Sequence, residues 1–286
     1  MDHDQLSEGI DVISTAKMGD LVDARWIAEH AGDASVRVVE VDVSAAIYNQ
    51  GHIPGAVLWN AYTDLRDGQY RTVPPGVFEM VLARSGISPD STIVFYGYGA
   101  LLGFWLMKAY GHQDVRILNG NRDEWGKHPG QWSEAVPTPT PTVYPLPAEN
   151  SGLLAARQDV EAAINDPNST ILDVRAESEY RGERFWPSGA TADTGRAGRI
   201  PGAVHAPIDR VRAESGDLKG TDELRALYAQ AGISPEQRVI IYCTIGNRAS
   251  LAWFILTYLL GYPHVSVYQG SYVEWGKLSD TAVETG

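Results

Sequence analysis

The chain has 286 residues, 44% of them apolar and 21% charged, which suits two ordinary domains of roughly 100 to 200 residues each and excludes bulk disorder. A formal net charge of −13 sets long-range repulsion against nucleic acid and anionic membrane surfaces, so any site for a small anion must be locally positive against that field. A single cysteine excludes an intrachain disulfide framework and any multi-cysteine metal site, and fits a reducing compartment.

In chain order, Met1 to Asp20 carry early acidic residues and no apolar core of the length a secretory leader needs. β-rich runs over Val38 to Val43, Thr92 to Tyr96 and Val115 to Leu118 predict strands. Between and after them lie His52-Ile-Pro-Gly-Ala-Val57, Gly86-Ile-Ser-Pro89 and Glu124-Trp-Gly-Lys127. A proline-rich stretch from Pro129 to Thr142 then favours an extended linker over helix or central strand.

The same order returns beyond it. Strands are predicted over Thr170 to Val174, Val239 to Tyr242 and Val265 to Tyr268, with Arg199-Ile-Pro-Gly-Ala-Val204, Gly232-Ile-Ser-Pro235 and Glu274-Trp-Gly-Lys277 in the matching places. The expected organisation is a domain over 19–128, a linker over 129–150 and a second domain over 151–286. Each domain is α/β, a largely parallel sheet flanked by helices.

Matching Asp42 to Asp173 gives an offset of 131, whereas the Ile-Pro-Gly-Ala motifs are offset by 147. The second half therefore gains about sixteen residues within Arg181 to Gly198, and four more between Tyr242 and Gly261. After Cys243, Leu251, Phe254, Ile255, Tyr258 and Leu259 form one apolar helical stripe that Gly261 is placed to stop. This stretch is too short to span a bilayer, and the reading is a cytoplasmic protein with no membrane partner.

Cys243 thus sits where a strand hands over to a helix N-terminus, at the carboxyl end of a sheet where α/β folds bind ligands. Backbone N–H groups and the helix dipole there favour an anion or a thiolate, and Arg248 lies five positions on. A lone cysteine beside an apolar strand is ordinarily a packing residue. Here the first half has Gly97 in its place, no arginine and a shorter segment, so cysteine, arginine and added length arrive together. Four residues, Thr244, Ile245, Gly246 and Asn247, separate Cys243 from Arg248. Phosphatases of the Cys-loop-Arg type use five, and the smaller ring favours a sulfur atom over a tetrahedral oxyanion.

The Ile-Pro-Gly-Ala copies, Asp173-Val-Arg175 with Glu179-Tyr180, the loop from Cys243 to Arg248, and Gly270 to Trp275 with its twin Gly120 to Trp125 together resemble the tandem-domain rhodanese family of thiosulfate and 3-mercaptopyruvate sulfurtransferases, from about Leu21 to Lys277. The resemblance implies a silent first domain and a double displacement on the second. Cys243 takes the outer sulfur of thiosulfate as a persulfide and passes it to cyanide or a thiol. The amides of Thr244, Ile245, Gly246, Asn247 and Arg248 stabilise the sulfur anion, and the Arg248 side chain holds the donor's sulfonate. 3-Mercaptopyruvate as donor, or a protein partner feeding a sulfur carrier, are the alternatives. No cofactor is implied, and the histidines show no metal spacing.

Two departures stand out: Arg199 replaces the histidine usual before Ile-Pro-Gly-Ala, and Thr244 replaces a basic residue frequent after the cysteine. Asp173 and Arg175 are read as a salt bridge that holds the loops. In the added segment, Arg184 and Arg196 are the candidates to line the entrance and attract an anionic donor.

Overall fold

The structure, a computed structural model, describes residues 20–128, 132–148, 150, 152–214 and 217–286. Residues 1–19, on which the expectation of no leader bears, and the first residues of the expected linker, 129–131, lie outside them.

The described residues fall into two compact units, 20–68 with 72–150, and 69–71 with 152–286. The first holds strands β1 (Leu21–Val22), β2 (Val36–Asp42), β3 (Val57–Asn60), β4 (Thr92–Tyr96) and β5 (Val115–Leu118), in the order β1-β5-β4-β2-β3. The second repeats it with β6 (Leu154–Ala155), β7 (Ser169–Asp173), β8 (Val204–His205), β9 (Arg238–Tyr242) and β10 (Val265–Tyr268), in the order β6-β10-β9-β7-β8. Every pairing in both sheets is parallel. Parallel strands are covered on both faces and so read as nearly unbroken apolar runs. β9, Arg-Val-Ile-Ile-Tyr, is buried from its second residue to its last.

Helices flank the sheets: α1 (Ala24–His30), α2 (Ala46–Gln50), α3 (Pro75–Arg84), α4 (Ala100–Ala109) and α5 (Asn121–Lys127) in the first unit, and α6 (Arg157–Ala163), α7 (Glu177–Tyr180), α8 (Thr221–Gln230), α9 (Asn247–Phe254) and α10 (Ser271–Lys277) in the second. None is long and apolar enough to cross a membrane among the described residues. Residues 132–148 have no helix or regular strand, and hydrogen bonds tie them down, from Thr142 N–H to Ala83 O at 3.1 Å and from Leu146 N–H to Glu79 Oε1 at 2.8 Å.

The stripe after Cys243 is not one continuous α-helix. α9 ends at Phe254, and Ile255–Leu259 continues as a π-helical turn. The four-residue gain over the first half is shared out. The connection from β9 to α9 is Cys243 to Gly246, one residue longer than Gly97 to Gly99, and the helix with its π turn is three residues longer than α4. A π turn absorbs residues that an α-helix of fixed end points has no place for.

Strand register also corrects the match between the halves. Glu40 lies opposite Tyr96, and Asp173 lies opposite Tyr242. Glu40, not Asp42, is the counterpart of Asp173; the strand offset is 133, and the gain before the second Ile-Pro-Gly-Ala is fourteen residues rather than sixteen. Both halves build the same buried cluster on this register. Tyr96 and Tyr242 each accept an N–H through the hydroxyl, from Ile53 at 3.1 Å and Ile200 at 3.3 Å. In the first, Arg122 of α5 bonds Glu40 and the Gly51 carbonyl, both at 2.5 Å. In the second, Arg175 bonds Asp173 at 2.7 Å and the Gly198 carbonyl at 2.6 Å. The arginine comes from different chain positions to do one job.

Candidate active site

Cys243 leaves β9 at the carboxyl end of the sheet, 1% exposed. Its carbonyl accepts from Tyr272 N–H at 2.9 Å, and the Thr244 carbonyl from Val273 N–H at 3.0 Å, so α10 pins the start of the loop. Gly246 has φ +97°, where a side chain would be strained, and this turn brings its N–H to 3.1 Å from Cys243 Sγ. Ile245, Asn247 and Arg248 are half-buried, and α9 begins at Asn247. A sulfur anion at Cys243 therefore faces a backbone donor and a helix N-terminus.

Arg248 does more than the sequence implied. Its Nη1 donates to Glu179 Oε2 at 2.8 Å and its Nη2 to Glu179 Oε1 at 2.9 Å and to Thr244 Oγ1 at 2.5 Å. Thr244 in turn donates its hydroxyl to Glu179 Oε1 at 2.5 Å. Glu179, on α7, is fully buried. Burial works against its charge, but the hydrogen bonds and charge of Arg248, with help from Thr244 and Arg175, outweigh that and hold the carboxyl below its ordinary 4.5. A depressed folded-state value means that the pair contributes fully at neutral pH and is lost only as pH falls through that lower value. The stability difference between wild type and Glu179→Gln is accordingly expected to stay flat from pH 7 to about 5 and to shrink below about 4. Denaturant midpoints taken across this range check it.

Asp173 and Arg175 form the expected salt bridge, with neither side chain exposed. Tyr242 donates its hydroxyl to Asp173 at 2.6 Å, and the Arg175 guanidinium stacks 3.9 Å over the Tyr272 ring. Burial opposes the charge of Arg175, and Asp173 more than restores it.

The four arginines of the added segment each have partners of their own. Arg196 donates to the carbonyls of Leu278 and Thr281 and to the Thr281 hydroxyl, and so ties the added segment to the chain after α10. Arg184 is exposed, with Nη1 on the Pro187 carbonyl at 3.1 Å. The segment is stitched to 276–286 by paired backbone bonds between Arg199 and Glu284, by Gly286 N–H on the Arg181 carbonyl and by Arg196 N–H on the Gly276 carbonyl. Among the described residues no group of three or more histidine, cysteine, aspartate or glutamate side chains could hold a metal ion.

The Rhodanese-like domain model matches twice, over residues 18–128 and 156–278. The chain belongs to the rhodanese family. Its two rhodanese domains are the two units described above. The chain is 38% identical over 275 residues to the sulfur carrier protein TtuD of Thermus thermophilus, covering 93% of this chain and 96% of that one. It is 38% identical over 276 residues, with the same coverage, to a Haloferax volcanii protein provisionally named thiosulfate sulfurtransferase. Among solved structures, the anaerobic ergothioneine biosynthesis enzyme of Chlorobium limicola, in complex with trimethyl histidine, superposes with a TM-score of 0.83 at 26% identity, over 95% of this chain and 71% of that one.

Proposed function

We propose that this protein is a sulfurtransferase that moves the outer sulfur of thiosulfate to a thiophilic acceptor through a persulfide on Cys243. The observation that carries the reading is the place of the chain's one cysteine, at the carboxyl end of a central parallel strand, with a backbone N–H on its sulfur. The Cys243 thiolate attacks the outer sulfur; the sulfur–sulfur bond of thiosulfate breaks, and sulfite leaves with the electron pair. Cyanide or a thiolate then attacks the outer persulfide sulfur and returns the Cys243 thiolate. On this reading the loop amides from Thr244 to Arg248, of which Gly246 N–H lies 3.1 Å from Sγ, stabilise the sulfur on which charge collects. The first domain has Gly97 where the second has Cys243, and takes no part in the chemistry. The reaction needs no cofactor, and a reducing cytoplasm suits a lone thiol.

A second reading, a carrier loaded by a protein partner, draws support from the pairing of Arg248 with Glu179, which offsets the cation otherwise free for a dianion. It also draws support from the name of the Thermus relative. The deciding measurement is thiocyanate formation from cyanide with thiosulfate or with 3-mercaptopyruvate. Saturating turnover with thiosulfate, in excess over 3-mercaptopyruvate, is expected. Preference for 3-mercaptopyruvate would overturn the donor, and turnover with neither would favour the carrier.

A further inference from the structure

We propose that Glu179 is the positioning residue of the cysteine loop, an assignment that rests on the sulfur-transfer reading of Cys243. One buried carboxylate joins the loop's first and last side chains. Oε1 accepts from Thr244 and Arg248, and Oε2 accepts from Arg248 and, at 3.2 Å, from Ala176 N–H of its own turn. Thr244 directly follows Cys243, and Arg248 closes the ring. The shape that brings Gly246 N–H to Cys243 Sγ is thereby referred to a single fixed group on α7.

The two halves of the chain provide the control. Tyr180 donates its hydroxyl to the Ala203 carbonyl at 2.9 Å, and Tyr48 donates to the Ala56 carbonyl at 2.6 Å. Ala203 and Ala56 occupy the same place in the two Ile-Pro-Gly-Ala motifs. The residue directly before each Ile-Pro-Gly-Ala is likewise matched: Arg199 lies over the Tyr180 ring at 4.5 Å, and His52 stacks on Tyr48 at 3.8 Å. Tyr180 and Tyr48 are therefore counterparts, and the residue before each is Glu179 in one half and Ile47 in the other.

Ile47 is 49% exposed. The buried tyrosine, carboxylate and arginine cluster is present in both halves, so it belongs to the fold. Glu179 is present only where Cys243 and Arg248 are, and the fold manages without it in the first domain. A buried ion pair is seldom the most stable way to fill a site, and its retention here follows from what it orients.

The test uses the full chain and four variants: Thr244→Val, which removes the hydroxyl link at constant shape; Thr244→Ser, which keeps it; Glu179→Gln; and the Thr244→Val, Glu179→Gln double variant. Two readouts are taken, the alkylation rate of Cys243 by iodoacetamide at pH 7 and the steady-state constants with thiosulfate and cyanide. Thr244→Val is expected to lower kcat about fivefold and to slow alkylation, with Thr244→Ser within about twofold of wild type. Glu179→Gln is expected to lower kcat about tenfold or more, mainly in kcat rather than KM, and the double variant to be no worse than Glu179→Gln alone, because both act through one ring.

Losses that multiply in the double variant, or a Thr244→Val protein with unchanged kcat and alkylation, would overturn the assignment. If Glu179→Gln does not fold, the Thr244 pair decides alone. Alkylation needs no sulfur donor, so a wild type that turns over neither donor would sink the functional reading while the alkylation rates still judged Glu179.

Discussion

Cys243→Ser is expected to form thiocyanate from thiosulfate and cyanide at less than about a thousandth of the wild-type rate, the loss that removal of a covalent nucleophile entails. A serine hydroxyl keeps the hydrogen bond to Gly246 N–H and fits the buried space, so the fold is preserved. It is a far weaker nucleophile toward sulfur, and any adduct would be a sulfur–oxygen bond with no stability as a carrier. The chain has no second cysteine to take over. Mass spectrometry after exposure to thiosulfate should find one added sulfur atom on the wild type and none on the variant. Residual turnover above about a hundredth of wild type would remove Cys243 from the reaction path.

The largest effect on stability is expected at Asp173. Asp173→Ala leaves the Arg175 guanidinium, 0% exposed, without its carboxylate, and deprives the Tyr242 hydroxyl of its acceptor. Arg175 Nη1 is already buried without a hydrogen-bond partner, and the other carboxylate that acts on it, Glu179, is already bonded to Arg248 and Thr244. Breaking a buried pair from one side costs about 3–5 kcal/mol, which lowers the thermal midpoint of the second domain by roughly 10 °C or more. Glu40→Ala is the internal comparison. Its partner Arg122 keeps 21% of its side chain exposed and regains water on losing Glu40, so a smaller drop is expected. Scanning calorimetry that found the two losses equal would refute the argument from burial.

The central strands were legible because a sheet covered on both faces must be apolar throughout, and β4, β5, β9 and β10 lie within a residue of where their runs predict. The edge strands β1, β6 and β8 are only two residues long and leave no periodicity to read. Matching Asp42 to Asp173 failed because Val-Asp-Val and Leu-Asp-Val look alike; only the pairing of Glu40 with Tyr96 exposes the two-residue slip. Cys243 was legible from its absence in the first half. Glu179 was visible in a family motif but its work was not, since spacing along the chain does not show that a four-residue helix 64 positions before Cys243 folds over that loop. The partners of Arg196 were hidden for a related reason. Two main-chain carbonyls and a hydroxyl 82 to 85 positions on are announced by no side-chain pattern.

The stitching of 181–199 to 278–286 also bears on how the protein is made. Ribosomes deliver the amino end first, and domains fold as their segments emerge. The first domain can close its sheet once residue 118 is free, before the second has emerged. In the second, Arg196 and Arg199 wait for partners among residues 278–286, and Gly198 packs so tightly against Val283 and Glu284 that it admits no Cβ. The domain that carries Cys243 thus stays incomplete until residues 278–286 have emerged, and a nascent chain holds the cysteine without its finished surroundings until then.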